Sequence, residues 1–211
     1  MHDILNSKKM RVFLIFVSLV TLAAQDAPKR PVIPAPMKIT IPAFPDGGLI
    51  PAKYANMPAG SMSPAIEWSE VPQAALTIAL ILHDADVPFP LAAAGSGTGD
   101  ILHWAIFKIP AKSAGLPEAV PHDLMLEDGS VQFKYAEGVP RLAIGKIGYF
   151  GPSPPPTPAP VPHHYVFDFY ALDSKLDPAL NSREDLIKAM AGHVLAKGVY
   201  FGIYANSSAP R

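Results

Sequence analysis

The chain has 211 residues, a formal net charge of −1 and no cysteine. Near-neutral charge leaves no basic face for a nucleic-acid backbone, so no nucleic-acid partner is expected; without cysteine, disulfides and thiolate metal sites are excluded. The length suits one folded domain with extensions, and 25 prolines, each lacking a backbone donor, argue against an all-helical fold.

At the N-terminus Lys8, Lys9 and Arg11 precede an apolar run over residues 12–20, followed by Thr21-Leu22-Ala23-Ala24. This is the pattern of a signal peptide, residues 1–24, cut near Ala23. The apolar run is well short of the ~20 residues a spanning helix needs. The mature form is therefore expected to be secreted or periplasmic, with no transmembrane span. Residues 25–36, with Pro28, Pro31, Pro34 and Pro36, read as an extended tether. Residues 37–206 are assigned to the domain and residues 207–211 to a tail.

Short strands are predicted over residues 37–44, 49–57 and 63–68, each bounded by proline or glycine. The run 75–83 is the clearest strand. Leu76, Ile78, Leu80 and Leu82 share one face and Ala75, Thr77, Ala79 and Ile81 the other, so both faces should be covered. Residues 103–109 and 165–172 are rich in aromatic and branched residues at strand length. Ser182 with Asp185 caps a helix whose apolar stripe runs through Leu186, Ile187, Met190, Val194 and Leu195 to an end at Lys197-Gly198. A last strand follows over residues 199–204.

Alternation places His103 in one row with Ala105, Phe107 and Ile109, and His163 in one row with Tyr165, Phe167 and Phe169. Asp84 continues the Ile78, Leu80, Leu82 row beyond its strand. Antiparallel packing would bring these strand ends into one site. His164 then faces away from it, and Asp168 should meet solvent or a neighbouring strand. No Gly-x-Ser-x-Gly elbow is present, and the glycines at 95, 97 and 99 lack the lysine and spacing of a phosphate-binding loop. His103, His163, His164, Asp84 and Asp86 have no metal-ligand spacing, so neither metal nor cofactor is expected. Imidazole beside carboxylate, at the mouth of a Gly-Pro loop, suits a small anion. His122 and His193 are assigned surface or packing roles.

Ser63-Pro64-Ala65-Ile66-Glu67-Trp68-Ser69-Glu70-Val71-Pro72 resembles the Ser-Pro-x-x-x-Trp-x-x-x-Pro element of the phosphatidylethanolamine-binding protein family, including its bacterial Raf-kinase-inhibitor-like branch. His83-Asp84-Ala85-Asp86-Val87-Pro88 is similar to its Asp-Pro-Asp-Ala-Pro signature, and Gly148-Tyr149-Phe150-Gly151-Pro152-Ser153-Pro154-Pro155 to its Gly-Tyr-x-Gly-Pro-x-Pro-Pro loop. His103-Trp104 resembles the start of an intervening strand, and His163-His164-Tyr165 the family's His-Arg-Tyr, with His164 in place of arginine. The resemblance implies a mainly β fold, an antiparallel Greek-key β-sandwich with peripheral helices. It also implies a small pocket for phosphate-like or carboxylate groups, lined by Asp84, Asp86, His103, Gly151, Pro152 and His163, with Tyr165 as a wall. The expected function is binding of a small anion, phosphate or phospholipid head group, without turnover or catalytic residues. The alternatives are inhibition of a protease or other protein target, and acid/base chemistry by Asp84 with His103 or His163.

Overall fold

The computed structural model describes residues 35–56, 61–86, 100–134, 146–154, 156 and 161–206, all within the compact unit Ile33–Arg211. The signal peptide, residues 25–34 of the tether, the glycine loop 95–99, residues 157–160 and the tail lie outside the described residues.

The central strand β5, Thr77–Asp84, is apolar on both faces because both are covered. Ile78, Leu80 and Leu82 lie in a core shared between two sheets, whereas Ala79 and Ile81 lie in a second core with Leu186 and Met190 of the helix α1, Arg183–Met190. β5 pairs antiparallel with β6, Ile101–Pro110, on one side and with β9, His163–Leu172, on the other. β9 in turn pairs antiparallel with β10, Val194–Tyr204. The return of β9 to the flank of β5, after the chain has left through β6, is the Greek-key element of the fold.

Short strands complete two sheets. β1, Ala35–Pro36, and β3, Gly48–Leu49, pair parallel with β10, and β8, Val131–Gln132, closes the far edge beside β6. The result is a 7-stranded mixed sheet. β2, Lys38–Thr40, β4, Ile66–Ser69, and β7, Gly115–Leu116, form a 3-stranded antiparallel sheet. Ile66, Trp68 and Leu116 from this small sheet meet Leu80, Phe167 and Phe169 from the large one, which is the sandwich core. Trp68 packs against Phe169 with ring centroids 6.0 Å apart.

The structure revises several predicted bounds. The expected strand 37–44 is reduced to β2, and Ala35 and Pro36 of the tether form β1. The expected strand 49–57 is only β3, followed by a 3-10 turn at Ala52–Tyr54. The helix begins as its cap predicts, with the Ser182 hydroxyl accepting from the Asp185 N–H at 3.1 Å. It ends at Met190 rather than near Lys197, because Gly192 takes φ +82° and turns the chain. Val194 and Leu195 therefore belong to β10, where sheet pairing replaces the continued helix. His193 lies in that turn, with Nδ1 2.9 Å from Asp173.

Candidate functional site

Three strand ends meet at one end of the sandwich. Asp84 at the close of β5 and Tyr165 near the start of β9 are register partners, so their side chains are cross-strand neighbours on one face. The imidazole of His163 donates from Nδ1 to Asp84 Oδ2 at 2.7 Å, and both side chains are buried. Asp84 Oδ1 accepts the Asp86 peptide N–H at 3.0 Å, which folds the chain back after the strand. The alternation predicted for β9 holds: His163 is buried beside Asp84 and His164 is exposed.

His103 reaches this cluster by a route that simple alternation misses. Register slips between β5 and β6, where Leu82 pairs with Trp104 but His83 pairs with Leu102. A β-bulge at His103 puts consecutive residues on the same face. Trp104 packs on Tyr149 in the inter-sheet core, and His103 packs edge-on against Tyr165 at 5.1 Å. Ala105 and Phe107 lie in the opposite core with α1, and a second slip, with Lys108 at φ 58°, returns Ile109 to the inter-sheet side. The predicted row of His103, Ala105, Phe107 and Ile109 is thus broken at both ends.

The loop 148–154 covers the cluster. Phe150 donates its N–H to the His103 carbonyl at 2.8 Å and accepts from His103 Nδ1 at 2.7 Å, and the two rings stack at 5.2 Å. A carbonyl only accepts, so Nδ1 carries the proton. Burial holds the His103 pKa below its ordinary value, against the opposing pull of the Phe150 carbonyl, the Asp84 charge and the Gly151 backbone, which favours the neutral ring. The Asn56 N–H binds the Pro152 carbonyl at 2.9 Å and the Tyr149 hydroxyl donates to Tyr54 O at 2.8 Å, so the loop is seated on residues 54–56. A Cβ on Gly151 would lie 2.3 Å from Tyr54 O. Close backbone approach is what Gly151 provides, but to this segment.

The Tyr165 hydroxyl is the unusual atom. It is buried and makes no well-aligned hydrogen bond among the described residues, with the Asp84 carboxylate and the Ser153 N–H close enough to act on it. Burial first, and then the Asp84 charge, push its pKa far above the ordinary phenol value, so it stays protonated. Asp86, by contrast, is not drawn into the buried cluster. Its Oδ2 accepts from the His164 peptide N–H at 2.5 Å and from His164 Nδ1 at 2.6 Å. Burial, the largest single influence, opposes its ionisation, but the two His164 bonds together with the His164 and His163 charges outweigh it and lower the Asp86 pKa. Asp86 and His164 form an exposed pair at the rim. Among the described residues, no group of three or more histidine or carboxylate side chains could hold a metal ion.

A family model described as phosphatidylethanolamine-binding protein matches residues 40–205. The chain belongs to the phosphatidylethanolamine-binding protein family. It is 39% identical over 170 residues to a UPF0098 protein of Methanothermobacter thermautotrophicus, covering 80% of this chain and 98% of that one. A phosphatidylethanolamine-binding protein homologue from Chlamydia trachomatis superposes with a TM-score of 0.64 at 31% identity, covering 80% of this chain and 97% of that one. Escherichia coli YbcL, described as a new member of the mammalian PEBP family, shares the fold with a TM-score of 0.57 at 23% identity, over 81% and 98% of the two chains.

Sequence reasoning overlooked two features of this family member. Phe150, the variable position of the Gly-Tyr-x-Gly-Pro motif, supplies the ring that stacks on His103. On the other face of the large sheet, His83 lies between two carboxylates: Nε2 bonds Asp168 at 3.1 Å and Nδ1 is 3.0 Å from Asp100. The Nδ1 contact lacks hydrogen-bond alignment, so it is ionic rather than directional. Arg183, the first residue of α1, clamps both oxygens of Asp100. Burial works against the imidazolium, but the two carboxylates outweigh it and raise the His83 pKa to about 9. Asp168 thus finds the neighbouring-strand partner that alternation allowed. His122 bridges two loops, with Nδ1 2.6 Å from the Ile147 carbonyl and Nε2 3.0 Å from that of Ser61, a packing role.

Proposed function

We propose that this family member is a secreted or periplasmic binding protein that receives a small anion or phosphorylated head group at Asp84, His163, Tyr165 and the loop 148–154, without turnover. The observation that carries this reading is the buried Asp84–His163 carboxylate–imidazole pair beside the buried Tyr165 hydroxyl, which makes no well-aligned hydrogen bond among the described residues. A buried polar group without a well-aligned partner is costly, and a ligand oxygen would satisfy it. Asp84 orients His163 through Nδ1, which leaves Nε2 as the atom that can meet a ligand. His103, Phe150 and Pro152 shape the wall, and Asp86 with His164 forms the rim.

Titration of the full chain with inorganic phosphate in a calorimeter tests the assignment. His163→Ala is expected to weaken phosphate binding by at least about tenfold, the scale of one lost charge-assisted hydrogen bond. Unchanged affinity in a folded variant would overturn it. The secretory reading rests on the charged, apolar and small-residue order of residues 8–24. Intact-mass measurement of the protein recovered from its native host is expected to show an N-terminus close to Ala24, and a mass retaining Met1 through Ala23 would sink that reading.

A further inference from the structure

His122 holds two carbonyl oxygens at once. Its Nδ1 lies 2.6 Å from the Ile147 carbonyl and its Nε2 3.0 Å from that of Ser61. A carbonyl oxygen only accepts, so each ring nitrogen must be the donor, and a neutral imidazole carries a single N–H. Both bonds exist together only in the imidazolium. The peptides on either side of the ring are fixed independently: Gln132 Nε2 donates to the Pro121 and Asp123 carbonyls at 2.7 and 2.9 Å, while its Oε1 accepts from the Trp104 indole at 2.7 Å. The ring is thus presented from a firm base, and its two partners are the parts that can leave it.

Those partners flank the loop that covers the Asp84–His163 pair. Ile147 leads directly into the loop 148–154, whose Gly148 N–H bonds the Phe133 carbonyl at 3.1 Å. Ser61 Oγ donates to Asn56 Oδ1 at 3.3 Å, and the Asn56 N–H in turn holds the Pro152 carbonyl. Beyond Ser61 the same segment is anchored without a titrating group, through Ser63, which accepts the Ala119 and Val120 N–H groups. The charged residues on the elements around the ring are Asp123 on its own loop, Lys146 beside Ile147, and Lys134, the bridge partner of Ile147. Residues 61–63 bring none. The Lys146 ammonium lies over the Phe150 ring, and Glu118, earlier on the stretch that leads to His122, is paired with Lys53.

We propose that His122 is a proton-dependent staple on both flanks of the cover loop, closed as the imidazolium and half released as the neutral ring. Histidine ordinarily gives up its second ring proton between about pH 5 and 8. When that proton leaves, one ring nitrogen turns a lone pair toward a carbonyl oxygen, and an attraction becomes a repulsion. The ring is exposed, so water satisfies the carbonyl that it surrenders and the release costs little. The cover loop is therefore held more tightly on the acid side of neutrality and loosens on the alkaline side. The staple concerns the mobility of the cover and stands independently of the ligand received beneath it.

Amide hydrogen exchange of the full chain at about pH 5 and about pH 8, the two ends of the histidine range, reads the staple once intrinsic exchange rates are divided out. Protection of the Asn56 N–H, the Gly148 N–H or both is expected to fall by about threefold or more at the alkaline end, the low end of what one hydrogen bond contributes, because the ring is exposed. The Ala119 N–H, bonded to Ser63, should keep its protection and serves as the internal reference. His122→Phe retains a ring without donors, so its Asn56 and Gly148 amides should already be loose at the acid end and change no further. Equal protection at both ends in the unmodified chain would overturn the proposal, as would a fall matched at Ala119 or one that survives in His122→Phe. Should the phenylalanine variant not fold, NMR of the unmodified chain decides: two His122 ring N–H signals are expected at the acid end and at most one at the alkaline end, and the same number at both ends would refute the staple.

Discussion

Asp100→Ala is expected to destabilise the fold by ~3–5 kcal/mol, read as a lowered urea midpoint at unchanged slope, because it strips two cations of their shared carboxylate. Asp100 holds Arg183 through both oxygens and lies 3.0 Å from His83, and these side chains are largely shielded from solvent. Asp168 would remain beside His83, and Arg183 would lose its clamp on the residue that leads into β6. The same network gives stability a defined pH dependence. The folded-state pKa of His83, about 9, lies above the ordinary value of 6.5, so its contribution is complete below about 6.5 and is lost as pH rises through about 9. That limb is worth ~3 kcal/mol. For Asp100, burial opposes ionisation but His83 and Arg183 prevail and hold its pKa well below the usual carboxylate range. Its contribution is present above the ordinary carboxylate pKa and is lost as pH falls toward the lowered value. The two limbs describe one ion pair from its two ends, so they are not added. Urea midpoints measured across pH should fall on the alkaline side, and His83→Gln should remove that alkaline fall. A midpoint that stays level through pH 9 in the unmodified chain would refute the assignment.

Gly151→Ala should cost at least ~3 kcal/mol, the top of the range for overpacking an interior. The added Cβ would lie 2.3 Å from Tyr54 O, 2.6 Å from the Ala55 carbonyl carbon and 2.8 Å from Asn56 N. All three are backbone atoms, so relief requires the two segments to separate instead of a side chain turning aside. Separation breaks the bond from Asn56 N–H to the Pro152 carbonyl and strains the bond from the Tyr149 hydroxyl to Tyr54 O. Phe150, one residue earlier, is hydrogen-bonded to His103 in both directions, so the cover over the Asp84–His163 pair should loosen with it. A drop in thermal midpoint accompanied by weaker phosphate binding is the expected result. Full stability in the alanine variant would show that the loop does not need this close approach.

Some of this arrangement was legible before any coordinates. The double apolar row of β5 announced a strand covered on both sides, since each face needs its own partner to leave water. Alternation in β9 separated His163 from His164 correctly, because that strand pairs without a slip against β5 from Tyr165 to Leu172 and against β10 at His163 and His164. The helix cap at Ser182 is a local contact between residues 182 and 185, and local contacts can be read from spacing. The same helix was drawn too long because Val194 and Leu195 satisfy both periods. What ends the helix is the turn at Gly192 and the pairing of Val194 with Leu172, a partner far away in the chain.

By itself, then, the sequence determined the sheet-rich class, the three strand ends carrying Asp84, His103 and His163, and the glycine-proline loop beside them. Those follow from periodicity, proline chemistry and motif order, which are properties of neighbouring residues. Only the tertiary structure decided which side chains meet. The bulge at His103 depends on how β6 registers against β5, and it turns a residue that alternation would have put beside Ala105 toward Tyr165. Asp86 was drawn outward by His164, and His83 was captured between Asp100, Asp168 and the helix. Register and long-range pairing are set by the free energy of the whole sheet, in which a one-residue slip exchanges its two faces.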